Sequence, residues 1–348
     1  MSPQLIYGTA TFGMDLTEFQ DAEAAKSMLK VVQSLGINRL DTAPRYPPLK
    51  PGRAEELLGE AAEVGSAFII DTKVYTDTRT DGSGDLSRDS IRESVRGSLA
   101  RLKRPQGVNV LYSHRADPET PLEEQVRNFN EQIAEGHCKA WGVSNTPPAA
   151  LEEILRICEE KNWQKPTVYQ GDYNLVTRGM ETKLLPTLRA HGISFVAFRF
   201  VEIALYGWRS PNIRELADRN ILITRALAAG FLTGKLVNNQ QQGTRLADDN
   251  PLGKAVQKVF GAEELHQAMK TFDTAVKKHS LSSLEVAIRW AAHHSALGSE
   301  DAIILGASKE SQLIESVSLI RKGPLPSIVL ALVEDLWAAV QQTRGNVL

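Results

Sequence analysis

The chain has no excess of charge of either sign. With 40 Lys and Arg against 42 Asp and Glu, its net charge is −2 and its pI near 6.4. That balance offers no basic footprint for nucleic acid or an anionic membrane. No apolar run approaches the roughly 20 residues that a bilayer-spanning helix needs. The opening residues lack a basic n-region and apolar h-region, and the closing Gly345-Asn346-Val347-Leu348 carries no lipidation box, so a cytoplasmic protein is expected. There are two cysteines, Cys138 and Cys158, in apparent strand and helix segments. They read as reduced thiols; a single bridge between them is the alternative that the count allows. A G-x-G-x-x-G fingerprint is missing, which disfavours a Rossmann dinucleotide fold. No low-complexity block or linker interrupts the chain, and the polar stretch Gln240-Gln241-Gln242-Gly243 is too short to divide it. One domain over 1–348 is expected.

What is present is alternation. With 348 residues, 42% of them hydrophobic, the chain can bury one large core. Short apolar runs place strands at 5–8, 37–40, 68–72, 108–113, 140–144, 168–173, 194–198 and 302–305. Between them, helical spacing of apolar residues appears at 22–35, 87–102, 122–133, 151–157, 263–278, 283–293, 311–320 and 328–340. Gly36 reads as a helix stop and Ser87 as a helix cap. Strand and helix in alternation give an α/β chain with a parallel sheet.

Four residues stand at or just past strand ends: Asp41 and Tyr46 in Asp41-Thr42-Ala43-Pro44-Arg45-Tyr46, Lys73 in Asp71-Thr72-Lys73, and His114 in Leu111-Tyr112-Ser113-His114. In a parallel barrel the C-terminal strand ends meet at one mouth, so residues distant in sequence converge there. A tyrosine with its reference pKa of about 10 is a poor proton donor near neutrality. A lysine ammonium beside it favours the phenolate and lowers that pKa, while a buried aspartate keeps the lysine charged. A histidine can orient a carbonyl oxygen by a hydrogen bond. Singly, these residues have plainer readings as a strand-end cap, a surface charge, a loop imidazole and a loop aromatic. Their order on successive strands favours one proton-transfer site. No metal is expected.

The same segments, with others, resemble the aldo-keto reductases, most closely the aflatoxin-aldehyde reductase branch. Gly8-Thr9-Ala10-Thr11-Phe12-Gly13 is similar to the family's opening strand and turn, and the run from Gly36 to Ala43 to its G-x-x-x-x-D-T-A signature. Trp141-Gly142-Val143-Ser144-Asn145 resembles the fifth strand, and Pro166 through Asn174 the sixth. Ala228-Ala229-Gly230-Phe231-Leu232-Thr233-Gly234-Lys235 resembles the phosphate loop, and Ile304-Leu305-Gly306-Ala307-Ser308 the last strand. The resemblance implies a (β/α)8 TIM barrel, an eight-stranded parallel barrel with outer helices. It also implies NADPH-dependent reduction of an aldehyde or ketone, with Asp41, Tyr46, Lys73 and His114 catalytic. Ser144, Asn145 and Gln170 would bind the nicotinamide carboxamide, and Phe198 would stack on its ring. Leu227, Ala228, Gly230 and Lys235 would form the pyrophosphate loop. Gly306, Ala307, Ser308 and Gln312 would form a phosphate site at a helix start, with Lys309 on the 2′-phosphate of NADPH/NADP+. Tyr46, His114 and Arg245 would meet the small-molecule carbonyl substrate, with Arg45, Tyr75 and the tail from Arg344 lining the mouth. A monomer or homodimer is expected.

One segment departs from the family. Residues 200–225 separate Val196-Ala197-Phe198-Arg199 from Ala226-Leu227-Ala228-Ala229-Gly230, where the family runs directly from strand to loop. Deleting 200–225 would restore the spacing, as a retained intron would require. Residues 212–219 and 221–224 also read as helix then strand, so 221–224 competes with 194–198 for the seventh barrel position. The helical stretch at 184–190, which precedes 194–198, matches the family, and this favours 194–198. The insertion leaves a second functional reading: a catalytically weak, cofactor-binding or regulatory relative.

Overall fold

The computed structural model describes residues 2–15, 17–77, 79–201, 228–238, 240 and 260–346. Eight strands follow one another in sheet order around a closed barrel: β1 (Gln4–Gly8), β2 (Arg39–Asp41), β3 (Ile69–Lys73), β4 (Val108–Ser113), β5 (Cys138–Ser144), β6 (Val168–Asp172), β7 (Ser194–Val201) and β8 (Ala302–Gly306). All eight lie within a residue or a few of the positions expected from the apolar runs, and the seventh is the favoured segment. Its competitor at 221–224, like most of 200–225, lies outside the described residues. The (β/α)8 TIM barrel is therefore the fold.

Two compact units can be described, one comprising Leu5–Gly171 and Lys183–Val196 and the other Met1–Gln4, Asp172–Thr182 and Ala197–Leu348. In the first, β1 to β6 pair in parallel with registers that include Gly8 with Asp41, Asp41 with Asp71, Lys73 with Tyr112, Tyr112 with Gly142, and Ser144 with Gln170. Residues in parallel register face the same side of the sheet, so this list already aligns the charged positions. A Cβ on Gly142 would lie 2.8 Å from the Tyr112 ring; only glycine lets that ring cross in front of β5.

The helices answer to local chemistry. Ala22–Ser34 starts at Asp21, whose carboxylate accepts from the Ala24 amide, and Gly36 closes the turn beyond it at φ 84°, as the glycine stop predicts. Pro148 opens the helix Pro148–Lys161, three residues before the apolar spacing shows it, because proline's fixed φ suits the first helical position. Ser87 does not cap with its side chain: its hydroxyl pairs with Ser90 Oγ at 2.9 Å. The helix Arg53–Glu60 was not expected, since it follows the turn-rich Pro47–Gly52 stretch.

The second unit buries Phe231, Leu232, Met269, Phe272 and Trp290. The loop Ala228–Thr233 is a 3-10 helix, and beyond it Asn238 donates to Asp273 at 2.7 Å. Cys138 and Cys158 are free and buried, and burial pushes their thiols up to about 12 and about 11. Among the described residues, no helix is long and apolar enough to cross a membrane.

Helices Arg53–Glu60 and Arg88–Leu102 cross so closely that a Cβ at Gly59 would collide with the Arg101 carbonyl oxygen. Gly59→Ala is therefore expected to destabilise the fold by about 1–3 kcal/mol, the usual range for overpacking. Urea denaturation measures it, and a loss below 0.5 kcal/mol by that same yardstick would show that the two helices separate readily.

Candidate active site

β2 and β3 carry an ion pair across the first unit. Lys73 and Asp41 are almost wholly buried, and Lys73 Nζ donates to both Asp41 oxygens at 2.7 and 2.8 Å and to the Thr42 carbonyl at 3.0 Å. Burial alone would lower the lysine. The charge of Asp41, with smaller contributions from Tyr46 and Asp71, outweighs it and holds the ammonium above its ordinary value. Gln170 on β6 donates a further bond to Asp41 Oδ1 at 2.8 Å.

Lys73 Nζ lies 5.3 Å from the Tyr46 ring centroid and 5.7 Å from that of Tyr112. The half-buried His114 meets the Tyr46 ring edge-on, centroids 5.7 Å apart. The four residues expected at the mouth therefore do gather. The adjoining Asn145, exposed and in a left-handed conformation at φ 52°, donates from Nδ2 to the His114 carbonyl at 3.1 Å and to Ser144 Oγ at 3.0 Å. Ser144, Asn145 and Gln170 thus form one set of hydroxyl and amide groups at adjacent strand ends. A set of this kind fits a carboxamide, which needs both donors and acceptors. A cavity of about 410 Å³ lies between the segments that follow β2 and β3 and the helix Arg88–Leu102, with Pro44, Tyr75, Asp85, Glu93 and Arg101 in its wall.

The outer face of β3 is also held. Thr72, between Asp71 and Lys73, donates to the fully buried Glu55 at 2.6 Å, and Arg101 Nε donates to the other Glu55 oxygen at 2.9 Å. Burial raises the Glu55 carboxyl, against the pull of Thr72 and Arg101. Neither Glu55 nor Arg101 stands out in the sequence. A buried glutamate pairs with groups remote in the chain, and only the fold brings those together.

In the second unit, the Gln312 side-chain oxygen accepts from the amides of Ser308 and Lys309 at 2.7 and 3.2 Å. The helix start expected to bind phosphate therefore has two of its amides capped from within. Phe198 is half-buried on β7, Lys235 is half-buried, and Gly306 and Ala307 end and follow β8. Ala228 and Gly230 lie in the 3-10 helix. Leu227 and Arg245 fall outside the described residues. Arg344 is buried, donating to the Val176 carbonyl at 3.1 Å and Thr177 Oγ1 at 2.9 Å, in the segment just past the C-terminal end of β6.

The sequence profile of the aldo/keto reductase family matches residues 4–338. The chain belongs to that family. Oxidoreductase sirO of Leptosphaeria maculans is 31% identical over 98% of this chain and 95% of its own length. Aflatoxin B1 aldehyde reductase member 2 of Rattus norvegicus is 29% identical over 97% and 87%. An aldo-keto reductase of Pseudocercospora fijiensis is 30% identical over 67% and 72%. As an aldo/keto reductase, the chain is a carbonyl-reducing oxidoreductase, and the family generally uses a nicotinamide cofactor.

Lys73→Met is expected to cost about 3–5 kcal/mol of stability at neutral pH, because it leaves the Asp41 carboxylate buried and unpaired. The lysine's pKa in the fold lies above its ordinary value of about 10.4. Its stabilisation is thus complete below that value and lost as pH rises through the raised pKa. Chemical denaturation of both proteins from neutral to strongly alkaline pH checks this. A wild-type advantage that is absent at neutrality, or that persists unchanged at the alkaline end, would contradict the pairing.

Proposed function

We propose that this aldo/keto reductase is an NADPH-dependent enzyme that reduces an aldehyde or ketone, with Tyr46 as the proton donor. The observation that carries this reading is the 5.3 Å approach of the Lys73 ammonium to the Tyr46 ring, with the ammonium locked on Asp41. When bound, the cofactor supplies a hydride to the carbonyl carbon. The chain's own residues do the rest. Tyr46 gives its proton to the carbonyl oxygen as negative charge develops there. Lys73 makes the phenol a stronger acid, because a fixed positive charge favours the phenolate left behind. Asp41 keeps Lys73 charged in a buried position where it would otherwise shed its proton. His114, against Tyr46, orients the carbonyl oxygen.

Ser144, Asn145 and Gln170 would hold the nicotinamide amide, and Phe198 would offer its ring for stacking. Leu227, Ala228, Gly230 and Lys235 would take the pyrophosphate. At Gly306–Gln312 a phosphate using the Ser308 and Lys309 amides has first to displace the Gln312 side chain, whereas the Lys309 ammonium suits the 2′-phosphate that distinguishes NADPH. Arg245, Arg45 and Tyr75 are the proposed substrate contacts.

Tyr46→Phe should lower carbonyl reduction by about 10²–10⁴, the usual contribution of a positioned acid. NADPH affinity, read by fluorescence titration, should stay within a few fold. Near-normal turnover in this variant rejects Tyr46 as the acid. Lys309→Ala should weaken NADPH by roughly tenfold, a charged contact's worth of about 1.4 kcal/mol, while leaving NADH binding unchanged. Equal losses for both cofactors would place Lys309 away from the 2′-phosphate.

A further inference from the structure

Beneath the Asp41–Lys73 pair lies a second ion pair built on the same diagonal. Arg39 precedes Asp41 by two residues on β2, and Asp71 precedes Lys73 by two on β3. A strand repeats its facing every second residue. Arg39 is in register with Ile69, and Asp41 with Asp71. Arg39 and Asp41 thus each meet the β3 residue two places beyond their register partner. Arg39 Nε donates to Asp71 Oδ2 at 2.7 Å, as Lys73 Nζ does to Asp41 in the layer above. The signs are exchanged between layers: β2 carries plus then minus, and β3 minus then plus.

Asp71 is buried and serves only as an acceptor. Its other oxygen takes the Asn109 side-chain amide at 2.8 Å and the Val110 amide at 3.2 Å. Burial raises this carboxyl, opposed by Arg39 and Asn109. Around it stand Arg39 and Asp41 from β2, and Tyr112 from β4, whose phenol burial and the Asp71 charge push well above its ordinary value. Lys73 lies above on its own strand, followed by Tyr46 and His114, and Gln170 reaches Asp41 from β6. The Asp71 charge acts on the Lys73 ammonium in the same direction as Asp41 does.

We propose that Asp71 and Arg39 are positioning residues for the acid: together they keep the charge beneath Lys73 balanced, so that Lys73 acts on Tyr46 with the field of a single ammonium. The proposal rests on Tyr46 being the proton donor. Removing Asp71 alone leaves Arg39 as a second, uncompensated cation below the site and favours the phenolate. Removing Arg39 alone leaves an uncompensated anion there, since a carboxyl is ionised at the alkaline pH where a phenol titrates, and this favours the phenol. Removing both restores balance.

The test is the titration of Tyr46 in the full-length chain. It is read as phenolate absorbance, each protein being compared with the same protein carrying Tyr46→Phe, and the alkaline limb of the pH–rate profile is followed beside it. Asp71→Asn should lower the Tyr46 midpoint by roughly half to one pH unit and Arg39→Gln should raise it by a similar amount, as expected for charges one strand layer, about 6–7 Å, below the position of Lys73. The double variant should return to the wild-type midpoint. A merely structural pair would change stability in all three without this opposition of sign. Unmoved midpoints in folded single variants, or shifts of the same sign, overturn the proposal. If Asp71→Asn does not fold, Arg39→Gln decides alone: an upward shift supports the proposal and an unmoved midpoint rejects it. Because absorbance needs no turnover, a Tyr46→Phe protein that still reduces carbonyls would reject the donor assignment and leave this titration readable.

Discussion

A lysine buried against an aspartate is the constraint to which the neighbouring groups conform. An unpaired ammonium in that place would lose its proton, and an unpaired carboxylate would be equally costly. Geometry therefore has little freedom. β2 and β3 must pair so that position 41 sits beside 71, Thr42 must turn its carbonyl toward Nζ, and Gln170 must reach across from β6. Tyr46 and Tyr112 present ring faces to the same ammonium, an arrangement worth more when the cation is stripped of water. The barrel supplies the enclosure, and the enclosure gives the charge its strength.

The strands were legible because buried parallel strands are short apolar runs, and little else in the chain looks like them. The site was legible for a related reason. Asp41, Lys73 and His114 interrupt or end such runs, and polar residues there are conspicuous. What escaped the sequence depends on partners distant along the chain. Glu55 looks like any helical glutamate until Thr72 and Arg101 are seen around it. Ser87 looks like a cap until Ser90 takes its hydroxyl. Arg39 and Asp71 lie between readable cases: their spacing from Asp41 and Lys73 puts all four on the same faces, but only the register shows which charge meets which.

The helix start after β8 shows the opposite situation. Resemblance to the family marks Gly306–Gln312 as a place for phosphate, in keeping with the general rule that helix N-termini attract anions. In the fold, Gln312 already satisfies two of the amides. A terminus capped by its own side chain is stable without a guest. Its affinity for an anion is then the difference between two occupied states, which explains why such a pattern alone says little about strength of binding.

The grip on Thr72 has a consequence for the strand that carries it. One strand carries Lys73 on its inner side and, one residue earlier, an outward hydroxyl fastened to Glu55 and through it to Arg101 of a surface helix. Outer helices open locally at lower free energy than a barrel core. When that fastening loosens, the outer side of β3 loses its anchor although the strand keeps its neighbours in the sheet. The hold on the strand that carries Lys73 thus depends on the periphery of the fold as well as on its core.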